Sequence, residues 1–495
     1  MINCGPMWPG LSLLWFVAGL TLRPYVPPVL GPEPAFVPPQ VNTVEVLPAN
    51  GDWDANVFAR PHHTAPLVGH VARGTRLSVR GELTLADRAY CSTGVYFAIE
   101  PFGWLCSADT QNTALPPTAE PVLQVVEGTP VPYRYAMVVV EEGTTLSMWD
   151  SVEALLNHAY PERELGRGDT IALGPTVEQF EGASYYVTVD GKVVPVKGTV
   201  PVKKFSEWQG VAIDATVHLP FGWVTPNKAQ VFDAPKGKKI DELVRRTRID
   251  VLEELDVAGA RWLRIGEGRY IKADQLNEVR KLARPEGTGS HAQWIDVDLG
   301  EQVVVAYRNN EPVYATLTSS GRAPNHTPRG NYPVWGKSTA ITMKSQEYDD
   351  APYYVNRVPW VLFFQAHNAL HAAYWHDRFG MVKSHGCANL SPRDAQYFFE
   401  WLEPKLPVGW TSVRYWDLTQ APVVHVRNSR RVKAFAQERN IGPPDKDDET
   451  ERVEAALVRR EAKEREEAAD FAAQQGVAPG MPATPLPLLP LSPLR

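Results

Sequence analysis

Hydrophobic and polar positions alternate in short runs over most of this chain, and the runs are separated by Gly, Pro and polar turns. Thr75-Arg76-Leu77-Ser78-Val79, Val95-Tyr96-Phe97-Ala98-Ile99 and Phe102-Gly103-Trp104-Leu105 are examples. A period of two over four to eight residues predicts half-buried strands, and this spacing predicts a small β-barrel over 42–110. Asp190-Gly191, flanked by YYVTV and KVVPV, predicts a tight hairpin inside a further β-rich region, 120–220. A third group, VFDAPKGKKI, TRIDVLEEL and RWLRIGEGRYIKADQL, spans 221–278. It repeats the first, with an apolar pair before a Pro-containing loop and a later Trp near a Gly turn. From Trp294 a meander follows, with turns near Gly300 and Asn309-Asn310. One stretch breaks the pattern. Ser391 to Leu402 (SPRDAQYFFEWL) has a Ser cap, Pro in the first turn and an apolar stripe, which predicts a helix. The fold class expected is mainly β and multidomain.

The two ends differ from this body. Leu11 to Leu22 is an apolar run of signal-peptide length, too short to span a bilayer, so 1–22 is expected to be a signal or anchor. Residues 23–41 form a Pro-rich linker. Residues 419–495 are expected to be a charged helix with a Pro-rich disordered tail, a candidate contact for a protein partner. At 495 residues the chain exceeds one hydrophobic core. Its formal charge of −7 argues against a nucleic-acid partner, which would call for a basic stripe. Cys91 and Cys106 could bridge in an oxidising compartment, with two buried thiols as the alternative. Cys387 stands alone in its region.

The chemistry gathers in 369–390. A thiol attacks as thiolate and needs a base nearby. His385 lies two residues before Cys387 and His371 sixteen before. Positions two apart in an extended segment face the same way, which places His385 on the Cys387 side. Gly386 leaves the backbone open for substrate. The predicted helix start just after the cysteine offers N–H groups to a thiolate or an oxyanion.

Ser384-His385-Gly386-Cys387-Ala388-Asn389, with His371, Tyr374-Trp375-His376 and Phe379-Gly380 upstream, resembles the L,D-transpeptidase (YkuD-like) catalytic domain. Thr318-Ser319-Ser320-Gly321 and Thr327-Pro328-Arg329-Gly330-Asn331-Tyr332 resemble the same family's approach to the site. The resemblance covers 291–418, about a quarter of the chain. It implies Cys387 as nucleophile, His371 as general base and the Ala372 carbonyl as orienter of the imidazole. His385 and Gly386 belong to the catalytic loop, and Ser384, Asn389, Tyr353, Tyr354 and Trp375 to substrate binding. The implied substrates are peptidoglycan stem peptides, with no cofactor, in an exported protein of the periplasm or envelope. Ala372 to Ser384 is shorter than the family's usual interval, so lid and substrate preference are where this chain departs. VFARPHHTAPLVGHVARGTRLSVRG resembles a bacterial SH3-like module. The expectation is therefore two small SH3-like barrels ahead of a catalytic domain.

Two other readings compete with this one. His367-x-x-x-His371 has zinc-helix spacing, but no Glu lies within it and no helix signature surrounds it, so no metal is expected. A vestigial, non-catalytic wall-binding scaffold is the other, and the intact Cys387 and His371 count against it.

Overall fold

The computed structural model describes residues 35–47, 54–141, 143–289, 291–322, 325–345, 353–415 and 417–429. All belong to one compact unit, 1–433; a second unit, 434–495, lies outside the described residues, as do Leu11–Leu22 and, of the expected charged tail, everything from 430 on. No helix among the described residues is long and apolar enough to cross a membrane.

Residues 43–112 form a small antiparallel unit. Thr43–Val46 pairs with Arg76–Thr84 and with Thr110–Asn112, and Ala55–Phe58 pairs with Leu67–Val71. Alternate side chains, among them Val44, Val57, Val68, Leu77 and Ile99, fill its centre. Cys91 and Cys106 are joined by a disulfide, with Cα atoms 5.6 Å apart. The unit is continuous with the rest. Leu67–Val71 pairs antiparallel with Trp410–Arg414, Gly69 facing Val413, and Trp410 is buried in the unit's own core. A methyl on Gly69 would lie 2.3 Å from the Ser412 carbonyl oxygen, so this close approach requires glycine.

In the next region the predicted hairpin forms. Ala183–Thr188 pairs with Val193–Pro195, and Gly191 takes the positive φ of 80° that the turn demands. The strand Thr170–Phe180 touches Tyr354–Gln365 at Thr170 and Val355. Residues 221–279 form a three-stranded and a five-stranded sheet around Val224, Leu263, Ile271 and Leu276. Each of the two small units carries a short 3-10 turn, Ser107–Asp109 and Ala273–Gln275. The Trp pair that suggested a repeat does not occupy matching places. Trp104 lies on the strand directly before its turn, whereas Trp262 lies one strand earlier.

From Gln293 the meander is as expected: Gln293–Asp298, Val303–Arg308 and Glu311–Leu317 pair in order. Pairing continues beyond the expected domain end at 418. Val423–Arg427 pairs in parallel with Gln293–Asp298, and Arg427 Nε and Nη2 donate to the buried Asp296 carboxylate at 2.9–3.1 Å. A short Val-rich run (VVHVR) next to a charged tail gives no signal of its long-range partner. The helix Pro392–Trp401 starts where expected: Ser391 Oγ accepts from Asp394 N at 3.1 Å. Its face of Ala395, Phe398 and Phe399 packs on Leu362, Phe364 and Leu370, which fixes the strands that carry the site.

Candidate active site

Two adjacent strands hold the candidate catalytic residues. Asn368–Ala372 runs parallel to Ala388–Leu390, with His371 opposite Asn389. Cys387 is the residue just before the second strand. Isolated bridges from Ser319 to Asn389 and from Gly321 to Ser384 anchor the loop from the other side. Gly386 has φ 121°, and a Cβ there would fall 2.5 Å from Asn368 Oδ1, so backbone and space both require glycine. Ser384 Oγ donates to the Cys387 carbonyl and accepts from Gly386 N. Cys387 is buried against Tyr374, Met343 and Val355, with Sγ 4.0 Å from the His367 carbonyl oxygen. No described cysteine is a free thiol, Cys387 included, so the chemistry below belongs to its reduced form. The expected helix start does not sit against the sulfur. A three-residue strand intervenes, and Ser391 satisfies the Asp394 N–H in the helix's first turn.

His371 is buried, and its Nδ1 is 3.1 Å from the Ala372 carbonyl oxygen. A carbonyl only accepts, so Nδ1 carries the proton and Nε2 keeps its lone pair. Burial pulls the imidazole down to about 4, with the Ala372 hydrogen bond opposing, so His371 is neutral at pH 7. Trp375 stacks on it, ring centroids 5.9 Å apart. His376, drawn down to about 3 by burial and then by Lys383, has Nε2 3.0 Å from Asn389 Nδ2.

A cavity of about 180 Å³ joins these groups. Its walls include Cys387, His371, His385, Ser384, Asn389, Trp375 and Tyr353, all proposed from sequence. Tyr353 lies parallel to the His385 ring, centroids 5.2 Å apart. Tyr354 does not line it. Neighbours on a strand face opposite ways, and Tyr354 packs instead with Met148, Leu165, Ile171 and Val194. Trp360, Phe363 and Phe364 are likewise core. Sequence reasoning missed Arg322, Lys383, Met343, Val355 and Gly168 as wall residues. Lys383, next to the Ser-His-Gly-Cys run, was the one with a local signal.

The short segment 373–383 is clamped by upstream residues. Arg246 donates to both Asp377 carboxylate oxygens, at 3.0 and 2.6 Å, and Ser206 donates to the same group. Arg245 Nη2 donates to the Phe379 carbonyl at 3.0 Å, and Asn277 Nδ2 to that of Gly380 at 3.0 Å. These distant partners were invisible in the local sequence.

Neither metal candidate forms a ligand set. His367 and His371 border a strand, not a helix, so four residues separate them by about 13 Å. His62, His63 and Asp87 have ligand atoms within 4.8 Å of one another. However, His62 Nδ1 accepts from Thr64 N at 3.2 Å, which leaves a protonated Nε2 facing Asp87 at 3.8 Å. A larger cavity, about 350 Å³, lies between 261–282 and the Gln293–Asp298 sheet. Among its charges Glu278 pairs with Arg261 and Arg280 and Asp298 with Arg427, and no Cys or His is among its described lining residues.

Residues 292–413 match the model of the YkuD family, described as the L,D-transpeptidase catalytic domain. Among solved structures the chain is similar to an L,D-transpeptidase from Stackebrandtia nassauensis: 21% identity, 30% of this chain and 60% of that one, TM-score 0.21. It is similar to one from Mycobacterium smegmatis at 18% identity, covering 35% of this chain and 79% of that one, TM-score 0.23. The catalytic domain of the E. faecium enzyme is 24% identical over 28% of this chain and 98% of that domain, TM-score 0.22. No curated protein matches the chain.

Proposed function

Residues 292–413 being a YkuD L,D-transpeptidase catalytic domain, we propose that this protein forms a thioester between Cys387 and a peptidoglycan tetrapeptide stem and passes the acyl group to an amine. The observation that carries this reading is the placement of Cys387 and a neutral, tautomer-fixed His371 on the wall of one cavity. His371 Nε2 takes the thiol proton, and the thiolate adds to the carbonyl of the diaminoacyl residue at stem position three. The bond to the terminal D-amino acid then breaks, and its nitrogen takes the proton from His371 as it leaves. An acceptor amine attacks the thioester, its proton passes to His371, and the thiol is restored. Ala372 acts only through its carbonyl, so alanine serves as well as any residue.

The family acts on cell-wall peptidoglycan, which implies an extracytoplasmic location, and the Cys91–Cys106 disulfide fits an oxidising compartment. The two small β units, proposed as SH3-like from sequence, act here as structural parts of the enzyme: one continues its sheet, the other clamps its cavity segment. The test is mass spectrometry of products from reduced wild type and Cys387→Ala incubated with disaccharide-tetrapeptide. A Cys387-dependent dimer joined through two diaminoacyl residues supports 3→3 cross-linking. Loss of the terminal D-amino acid without a dimer moves the second step to water or a protein amine. No Cys387-dependent change refutes the reading.

A further inference from the structure

We propose that Lys383 and Arg322 form an anion-binding wall that holds the donor peptide's terminal carboxylate, the one on the residue that leaves. The proposal rests on the reading of Cys387 as the acylated nucleophile. Both cations line the Cys387 cavity. Their backbones are fixed side by side: Gly321 and Ser384 bridge in parallel, Arg322 N donates to the Ser384 carbonyl at 3.1 Å, and Lys383 N donates to that of Ser320 at 2.9 Å. Among the described residues neither side chain makes a hydrogen bond or an ion pair.

Among the described residues no Asp or Glu is part of the cavity wall. The described acids nearby are engaged elsewhere. Asp377 is held by Arg246, and Asp169 accepts from Gly166 N and Tyr354 N, both at 2.8 Å. Burial, then the proximity of Arg378 and Arg322, pulls the Lys383 ammonium below the usual lysine range. Crowded like charges with no counter-ion among the described residues fit an anionic ligand by electrostatic complementarity. The donor stem supplies one at the required place. Its free carboxylate lies a single residue beyond the carbonyl that Cys387 attacks, so docking the carbonyl brings the carboxylate into the same small cavity. The carboxylate keeps its charge through acylation. Its contact is therefore equal in ground and transition states, and its loss should appear in KM rather than kcat.

The test separates this proposal from the reaction itself. Calorimetry on Cys387→Ser would compare disaccharide-tetrapeptide with the same ligand carrying a C-terminal amide. The acid should bind at least about tenfold tighter, the value of one charge-assisted hydrogen bond. That preference should vanish when Lys383→Ala and Arg322→Ala are added, and Lys383→Arg should retain it. In the reactive protein, Lys383→Ala should raise KM for the acid donor and leave kcat unchanged. Equal binding of acid and amide, a preference that survives both substitutions, or no binding of either peptide would overturn the proposal. Acid-selective binding without any Cys387 thioester would support the anion wall and refute the transpeptidase reading. Thioesters formed equally from acid and amide donors would do the reverse.

Discussion

Arg246→Ala tests whether the clamp on 373–383 shapes the active cavity. The arginine is only 19% exposed in its side chain, but its partner Asp377 is 53% exposed. Solvent screening therefore discounts the ion pair, and its bidentate geometry with a further bond to the Asp377 carbonyl restores part of it. A contribution of about 1–2 kcal/mol follows, or roughly tenfold in the population of the closed segment. Arg246 also lies over the Trp208 ring, 5.2 Å from its centroid, so the substitution loosens a second contact. Hydrogen exchange read by peptide mass spectrometry should show about tenfold faster opening in 373–383. Exchange in Gln293–Asp298 should stay unchanged. Stem acylation of Cys387 should slow in parallel, because Trp375 and His376 ride on this segment. Asp377 gives the pH dependence. Burial pushes its carboxyl up, but the Arg246 and Ser206 hydrogen bonds more than offset this, and the folded value lies below the usual one. The clamp's contribution is thus present above the unfolded carboxylate range and lost as pH falls through the folded value, so the variant and wild type should converge only in acid. Equal exchange and equal acylation at neutral pH would refute the reasoning.

Gly386→Ala should abolish acylation by displacing Cys387, since its φ and the 2.5 Å approach to Asn368 both oppose a side chain; intact-mass labelling with a stem donor measures this. Asp394→Ala removes the acceptor for Tyr314, Thr316, Ser391 and the Gly210 N–H, all within 2.8 Å, and should cost about 3–5 kcal/mol in denaturant unfolding. His371, held down to about 4 by burial, leaves the unfolded chain binding the extra proton between about pH 6.5 and 4. Its contribution is full above that window and falls by up to roughly 3 kcal/mol through it, so wild-type stability should drop with acid more steeply than that of His371→Gln.

What the sequence disclosed and what it hid divide along contact range. The helix at Ser391 and the Asp190-Gly191 hairpin are specified by residues within a few positions of one another, and both form as expected, whereas the Ser384–Asn389 loop is also anchored from Ser319 and Gly321. Alternation correctly marks strands, but it carries no information on which strand each one joins. That is why Val423–Arg427 reads as tail from sequence, although it joins the sheet of the 293–317 meander beside a strand about 130 residues earlier. The same blindness applies to the cavity. Tyr353 and Tyr354 are indistinguishable in composition, and only the strand's facing direction sends one to the cavity and the other to the core. The clamp residues Arg245, Arg246 and Asn277 carry no motif at all, because their role exists only once the upstream unit is packed beside 373–383. The shortness of that segment, visible from sequence as a departure from the family, now has a physical counterpart. The segment is held from outside by the side chains of Ser206, Arg245, Arg246 and Asn277. Truncating the upstream units should therefore remove wall and clamp together, so the catalytic third of this chain depends on the rest for its geometry.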